Sequence, residues 1–257
     1  MKYVCEENMC TGCMACTNVC AKNAITVADK LKSYNAVIDI SKCINCKLCH
    51  NVCQQNADLK GKKTIEYYQG WAKDQGIREG SSSGGIAAVL ARAFVENHGI
   101  VCSCVFRNGK FGFEIFDTVN DLHKYAGSKY VKSDPKDIYK NIKKLLMDNK
   151  KVLFIGLPCQ AAALKRYIGE KYGESLYLVD LICHGTPSPK ILDNYLNCYS
   201  YSLSTLQDIK FRNNNRYQVC CDGKAIVPKR LIDSYIHAFL NSLIQTENCY
   251  HCRYASV

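Results

Sequence analysis

Eight cysteines between positions 10 and 53 constrain this chain more than any other feature. They fall into two runs, CTGCMACTNVC and CINCKLCHNVC, each spaced C-x2-C-x2-C-x3-C. Three thiolates at x2 intervals wrap one loop around one cubane, and the fourth arrives from a helix on the far side. In a two-cluster module of this kind, the fourth Cys of each run ligates the other cluster. Cys10, Cys13, Cys16 and Cys53 are thus expected to hold one 4Fe-4S cluster, and Cys43, Cys46, Cys49 and Cys20 the second. Zinc is the competing reading. It takes four tetrahedral ligands, usually as two C-x-x-C pairs, and a triplet plus one leaves ligands over. The rest of the chain must feed electrons into these clusters or draw them out.

The doubled run defines a ferredoxin-like domain over residues 1–58. Between the runs, AITVAD and NAVIDI alternate as a short hairpin. Ferredoxin runs place a proline after the last Cys; here Ala21 and Gln54 stand there, which touches local turn geometry rather than cluster binding. Cys5 lies outside the pattern and reads as a bystander. The chain has 257 residues, room for this domain and one more with a sizeable core. Eight of its eighteen cysteines already sit in the runs, and no signal peptide precedes them. A reducing cytosol therefore fits better than a disulfide scaffold. No apolar run reaches membrane-span length; Leu90 to Val95 is interrupted by Arg92. The net charge of +11 reads as solvated surface lysines, or as complementing an acidic redox partner or a phosphorylated cofactor. Nucleic acid is not expected, because no basic stretch is interleaved with aromatics. A radical SAM enzyme is set aside because C-x3-C-x2-C does not occur.

Residues 59–80 read as a linker punctuated by lysine and glycine. It holds Trp71, the only tryptophan, expected to pack or else to shield a flavin. SSSGG then opens a helix over Ile86 to Val95, closed by Gly99. Ser82, Ser83, Gly84 and Gly85 either cap that helix or let backbone N–H groups reach a phosphate. Ile100 to Arg107 and Lys110 to Asp117 form a hairpin across Asn108-Gly109. Gly127, Ser128 and Lys129 in AGSKYVKSD either hold a phosphate or flavin edge or make a polar turn. A basic helix follows over Asp137 to Asn149. KVLFIGL is a buried strand leading through Pro158 and Cys159 into a helix ending at Ile168. LYLVDLIC is a second strand, ending at Cys183, and Ile191 to Tyr199 is a helix. This β-α-β-α order predicts parallel strands. Cys159 and Cys183 would then lie beyond their carboxyl ends, where sites in such sheets are found. Ile209 to Asn214 reads as a strand, Cys220 and Cys221 as loop residues, and Asp233 to Ile244 as a helix. CYHC adds Cys249 and Cys252, a chelating C-x-x-C. The expected fold class is α/β (α+β): a small two-cluster ferredoxin-like domain, then an α/β domain with a partly parallel sheet.

GLPCQAAALKRY, DLICHGTPSP and CYHCRYA, with SSSGG and AGSKYVKSD ahead of them, resemble the coenzyme F420 hydrogenase/dehydrogenase β-subunit family. The ferredoxin run matches members carrying such a domain at the N-terminus. The resemblance assigns residues 81–150 to the N-terminal part of the family domain and 151–257 to its C-terminal part. Members commonly continue with an AD-x-x-x-GD segment and a further subdomain, so a chain ending at Ala255-Ser256-Val257 is expected to be incomplete there. The resemblance implies FAD and a third 4Fe-4S cluster, and Cys159, Cys183, Cys249 and Cys252 match its ligands position by position. Buried bystander cysteines, zinc, or His184 or His251 in place of one Cys are the alternatives. Cys102, Cys104, Cys198, Cys220 and Cys221 have no strand end or chelating spacing to place them. The implied activity is that of a cytoplasmic iron–sulfur flavoprotein oxidoreductase. It would pass electrons between a ferredoxin-type carrier and an FAD-bound two-electron substrate, F420 or another organic acceptor. The rival is a non-enzymatic electron-transfer subunit docked on a hydrogenase or dehydrogenase partner. No catalytic residue is singled out.

Overall fold

The computed structural model describes residues 2–58, 64–213, 216–228 and 230–254. The start of the expected linker (59–63), Asn214 at the end of an expected strand, and Ala255, Ser256 and Val257 lie outside them.

In the cysteine-rich region, β1 (Lys2–Tyr3), β2 (Ile25–Asp29) and β3 (Tyr34–Ile38) form a sheet in the order β1-β3-β2. β2 and β3 are the hairpin expected from the alternation, paired from Ile25↔Ile38 to Asp29↔Tyr34. Each cysteine run carries one short helix, α1 (Ala15–Val19) or α2 (Leu48–Val52). Each helix starts after a left-handed residue, Met14 at φ 60 and Lys47 at φ 61. Non-glycine residues adopt this conformation rarely, and such positions cluster at ligand clamps. The repeat is therefore one of backbone shape as well as of spacing.

Beyond it come α3 (Gln75–Gly80), α4 (Ile86–Glu96), β4 (Ile100–Arg107), β5 (Lys110–Phe116), α5 (Ile138–Met147), β6 (Val152–Gly156), α6 (Pro158–Ile168) and β7 (Leu176–Asp180). Their sheet runs β5-β4-β6-β7, with β4 and β5 antiparallel and β4, β6 and β7 parallel. The α/β class and the parallel pair are as expected. Every residue of β6 is buried, as a strand covered on both faces must be. α7 (Pro189–Asn197), β8 (Ile209–Asn213), β9 (Arg216–Cys221), β10 (Lys224–Ala225), α8 (Ser234–Leu240) and α9 (Glu247–Tyr250) complete the described chain, with a small antiparallel sheet in the order β10-β9-β8.

Several boundaries differ from the sequence reading. The serines do not cap α4; Gly85 does, at φ 81, with no side-chain hydrogen bond. Gly99 does not end that helix, because His98 takes the left-handed position at φ 61. Cys220 and Cys221 lie in β9 and are buried, since pairing with β8 supplies the ladder that their polar flanks hide. α6 begins at Pro158 itself, whose missing N–H costs nothing at a first helical position. β7 stops at Asp180, so Cys183 stands in a loop three residues further on.

The cysteine-rich region shares its core with the larger part. Val4, Ile25, Ala36 and Val52 belong to one buried cluster with Tyr139, Ile142, Phe154 and Leu164. Each fully buried side chain of that size is worth roughly 1.5–3 kcal/mol. Asn18 ties α1 to α5 through Lys136 O (2.5 Å) and Lys140 N (3.2 Å). The thiols of the two runs are thus held against α5 and α6.

Candidate metal and redox centres

Cys10, Cys13, Cys16 and Cys53 are all buried and line one narrow cavity. Cys16 feels the charges of Cys13, Cys10 and Cys53. The fourth thiol of the second run thus stands with the first three of the first run. Burial, then repulsion from Cys10, pushes Cys13 up to about 12. Such thiols ionise when a metal supplies the opposing charge and takes the place of the protons. Cys5 lines the same cavity and hydrogen-bonds to both Cys10 and Cys53. Its S–H lowers Cys10, and holds Cys53 at about 7. Far from standing apart, Cys5 is the one non-motif thiol in contact with this group.

Cys49 feels Cys20, Cys43 and Cys46. This second group is the more open, with Cys46 exposed and the other three half-buried. The groups adjoin, since Cys16 also feels Cys49.

A third group gathers at the carboxyl edge of the parallel strands. Cys159 opens α6, and it feels Cys183, Cys249 and, across the shared core, Cys13. Cys183 feels Cys249 and Cys252. Burial pushes Cys159 well above the usual thiol value and raises Cys183. Burial raises Cys249 too, but Lys132 and hydrogen bonds from Thr246 and Thr186 outweigh it and leave that thiol lowered. Gly185 permits this closeness. It sits at φ 108, and a Cβ there would fall 2.5 Å from Gln245 Cγ and 3.4 Å from Cys249 Cβ. The terminal segment is pinned to the first region: Arg253 donates to Gln54 O (3.3 Å) and Gln55 O (3.1 Å), and Tyr254 to Gln54 Oε1 (2.6 Å). Among the described residues, no three His, Cys, Asp or Glu side chains close around a single metal ion. A cubane asks for a wider arrangement, because each thiolate binds a different corner.

The remaining predicted site residues meet elsewhere. Ser82 Oγ accepts from Ser128 N at 2.7 Å, which joins SSSGG to AGSK. Lys129 is half-buried, and its ammonium donates to the Tyr125 and Ala126 carbonyls, so it closes the preceding turn. Burial lowers its pKa. Gly84 abuts Gly70 O and Trp71, while the Trp71 side chain does not pack as expected and is 63 % exposed. A separate cleft, with about 1370 Å³ of empty space open to solvent, lies between the β2–β3 and β4–β5 hairpins. Met14, Tyr34, Phe113 and Lys132 line it, so its floor adjoins the first cysteine group.

Family models match the chain in three consecutive stretches. Residues 9–57 match "4Fe-4S dicluster domain", which defines an iron–sulfur electron-transfer protein. Residues 67–149 match "Coenzyme F420 hydrogenase/dehydrogenase, beta subunit N-term", and residues 149–256 match the C terminus of the same subunit. The chain belongs to the coenzyme F420 hydrogenase/dehydrogenase beta-subunit family. No curated protein is matched. Among solved structures, a xenon-derivatised F420-reducing NiFe hydrogenase complex from Methanosarcina barkeri is similar in fold, with TM-score 0.51 and 20% identity over 71% of this chain. The chain spans 63% of the length of that relative.

Proposed function

We propose that this protein is an iron–sulfur flavoprotein oxidoreductase that moves electrons between a ferredoxin-type carrier and an organic two-electron acceptor. One observation carries the reading: the Cys10 group lies within reach of the charges of both other thiol groups. The Cys43 group opens to solvent, the Cys10 group is buried behind it, and the Cys159 group lies at the sheet edge. The residues fit three cubanes held by Cys10, Cys13, Cys16 and Cys53, by Cys43, Cys46, Cys49 and Cys20, and by Cys159, Cys183, Cys249 and Cys252. When bound, cubanes supply one-electron chemistry and a flavin converts between one and two electrons. The chain's own residues bury the Cys10 group and leave each of the other two with one exposed and three half-buried thiols. Tyr139 and Tyr254 each lie within reach of the charges of both Cys13 and Cys159.

For FAD, the amino end of α4, where Gly85 caps without a side-chain hydrogen bond, offers backbone N–H groups to a phosphate. Ser82, Ser83, Gly84 and Gly85 would cradle it, with Gly127, Ser128 and Lys129 shaping the adjoining turn. The cleft beside Met14 has room for a small organic acceptor such as F420. Leu181, Ile182, Leu243 and Tyr250 expose apolar side chains close in sequence to Cys183 and Cys249. They suit a protein redox partner. No helix among the described residues is long and apolar enough to cross a membrane. The cysteine usage suits the cytoplasm.

The second reading is a cluster-only electron-transfer subunit of a larger hydrogenase or dehydrogenase complex. One observation favours it: Lys129, the cation of the proposed cradle, already donates to two backbone carbonyls. Anaerobically purified protein separates the two. Resolved flavin bands released on denaturation are expected; broad iron–sulfur absorption alone would leave the subunit reading.

A further inference from the structure

We propose that Lys132 is a built-in counter-cation shared by the Cys10 and Cys159 groups, and that it raises the reduction potentials of the clusters they hold. The proposal rests on the third-cluster reading above, and its test is arranged to separate the two.

Lys132 belongs to the loop after β5, yet its side chain ends inside the cysteine-rich region. Its backbone N–H donates to Pro187 O at 2.9 Å, which fixes it against the loop carrying Cys183. From there the stem passes Gly12, where a Cβ would come within 3.2 Å of Lys132 Cδ. Gly12, in the first C-x-x-C, thereby leaves the lane the lysine occupies. The ammonium donates to Thr11 O at 3.2 Å and lies 5.0 Å from the centre of the Tyr34 ring. The residue is 5 % exposed.

No carboxylate pairs with it. The ion pairs among the described residues involve Lys42, Arg92, Arg107, Lys124, Lys140 and His251, and none includes Lys132. A buried ammonium with one carbonyl and one aromatic ring is under-compensated, and such a charge persists only where an anion faces it. The groups that face it are thiols. Thr11, whose carbonyl it holds, stands between Cys10 and Cys13, and Pro187, which holds its backbone, follows closely on Cys183. A cubane on four thiolates carries net negative charge that grows on reduction, and net charge is one of the levers on its potential. A fixed cation between two such groups favours the reduced form of each. It also lessens the repulsion when both are reduced.

The test uses full-length, anaerobically reconstituted protein. Iron is counted first, then each cluster is followed by EPR in a potentiometric titration. Lys132→Gln keeps a donor for Thr11 O and removes the charge; Lys132→Arg keeps the charge. The Gln variant should retain its iron while the two inner clusters become about tenfold harder to reduce, or about 59 mV for one electron. The outer cluster should stay where it was, and the Arg variant should return the inner potentials toward wild type. Unchanged potentials in the Gln variant, an equal shift of all three clusters, or an Arg variant no different from Gln would overturn the proposal. If the Gln variant loses iron, Lys132→Met, which keeps the apolar stem, replaces it under the same criteria; loss of iron from both would make the lysine a structural tie and end the proposal. A wild-type count near eight iron atoms instead of about twelve removes the third cluster itself and the shared role with it.

Discussion

Gly185 shows how much one missing side chain can decide. At φ 108 any other residue is strained, and a methyl group would strike Gln245 at 2.5 Å. The segment from Gln245 to Cys249 would have to move, and Cys249 with it. Gly185→Ala should therefore cost about four iron atoms per chain while both clusters of the first region survive. Iron analysis alongside the visible spectrum reads this directly, and an unchanged count would mean that Gly185 does not seat Cys249. At this scale the sequence was legible where chemistry repeats at short range: the twelve cysteines of the three groups can be picked out from spacing and strand ends. Lys132, Tyr139 and Cys5 were not. Lys132 reads as one more solvated lysine in a polar loop, because its burial comes from Gly12 and Pro187, both distant in sequence. Lys129 reads as a cation free for a ligand, and in the structure its ammonium also donates to the Tyr125 and Ala126 carbonyls just before it.

Among the elements, α1 and α2 share a left-handed residue at their start and a cysteine at their C-cap, Cys20 and Cys53. Each helix points its last thiol at the other run's group, so ligation should cross. Cys53→Ala, made together with Cys5→Ala because the Cys5 thiol stands ready beside Cys53, should abolish the cluster at Cys10, Cys13 and Cys16. The cluster at Cys43, Cys46, Cys49 and Cys20 should remain. Adding Cys43→Ala should then remove the second. EPR of the reduced proteins distinguishes the outcomes, and a combined variant that still holds one of these two clusters would refute the crossing. The elements themselves were legible where turn chemistry and periodicity agree, as in the Asn108-Gly109 hairpin and the parallel β6 and β7. They were not where pairing overrides local character. RYQVCC looks like loop beside NNNR and CDG, yet β8 supplies its partner strand.

For the whole molecule, the third cysteine group is a product of tertiary structure. Cys159 comes from the start of α6, Cys183 from the loop after β7, and Cys249 and Cys252 from α9 and the turn beyond it. Backbone contacts bring them together: Thr246 N donates to Thr186 O (3.2 Å), and Glu247 N to Lys32 O in the cysteine-rich region (2.7 Å). A cluster on these thiols would staple three stretches of chain, so its binding free energy would also be folding free energy. Cys159→Ser combined with Cys252→Ser should lower the iron count from about twelve to about eight per chain. It should also lower the thermal midpoint of the cluster-loaded protein. The decisive comparison is the change in that midpoint when iron is stripped by a chelator. Wild type should lose more than the double variant, because it alone has this staple to lose. The two clusters of the cysteine-rich region should remain reducible in the variant, since none of their ligands has been touched. An equal loss in both proteins, with wild type already at eight iron atoms, would reduce this cysteine group to thiols without a metal.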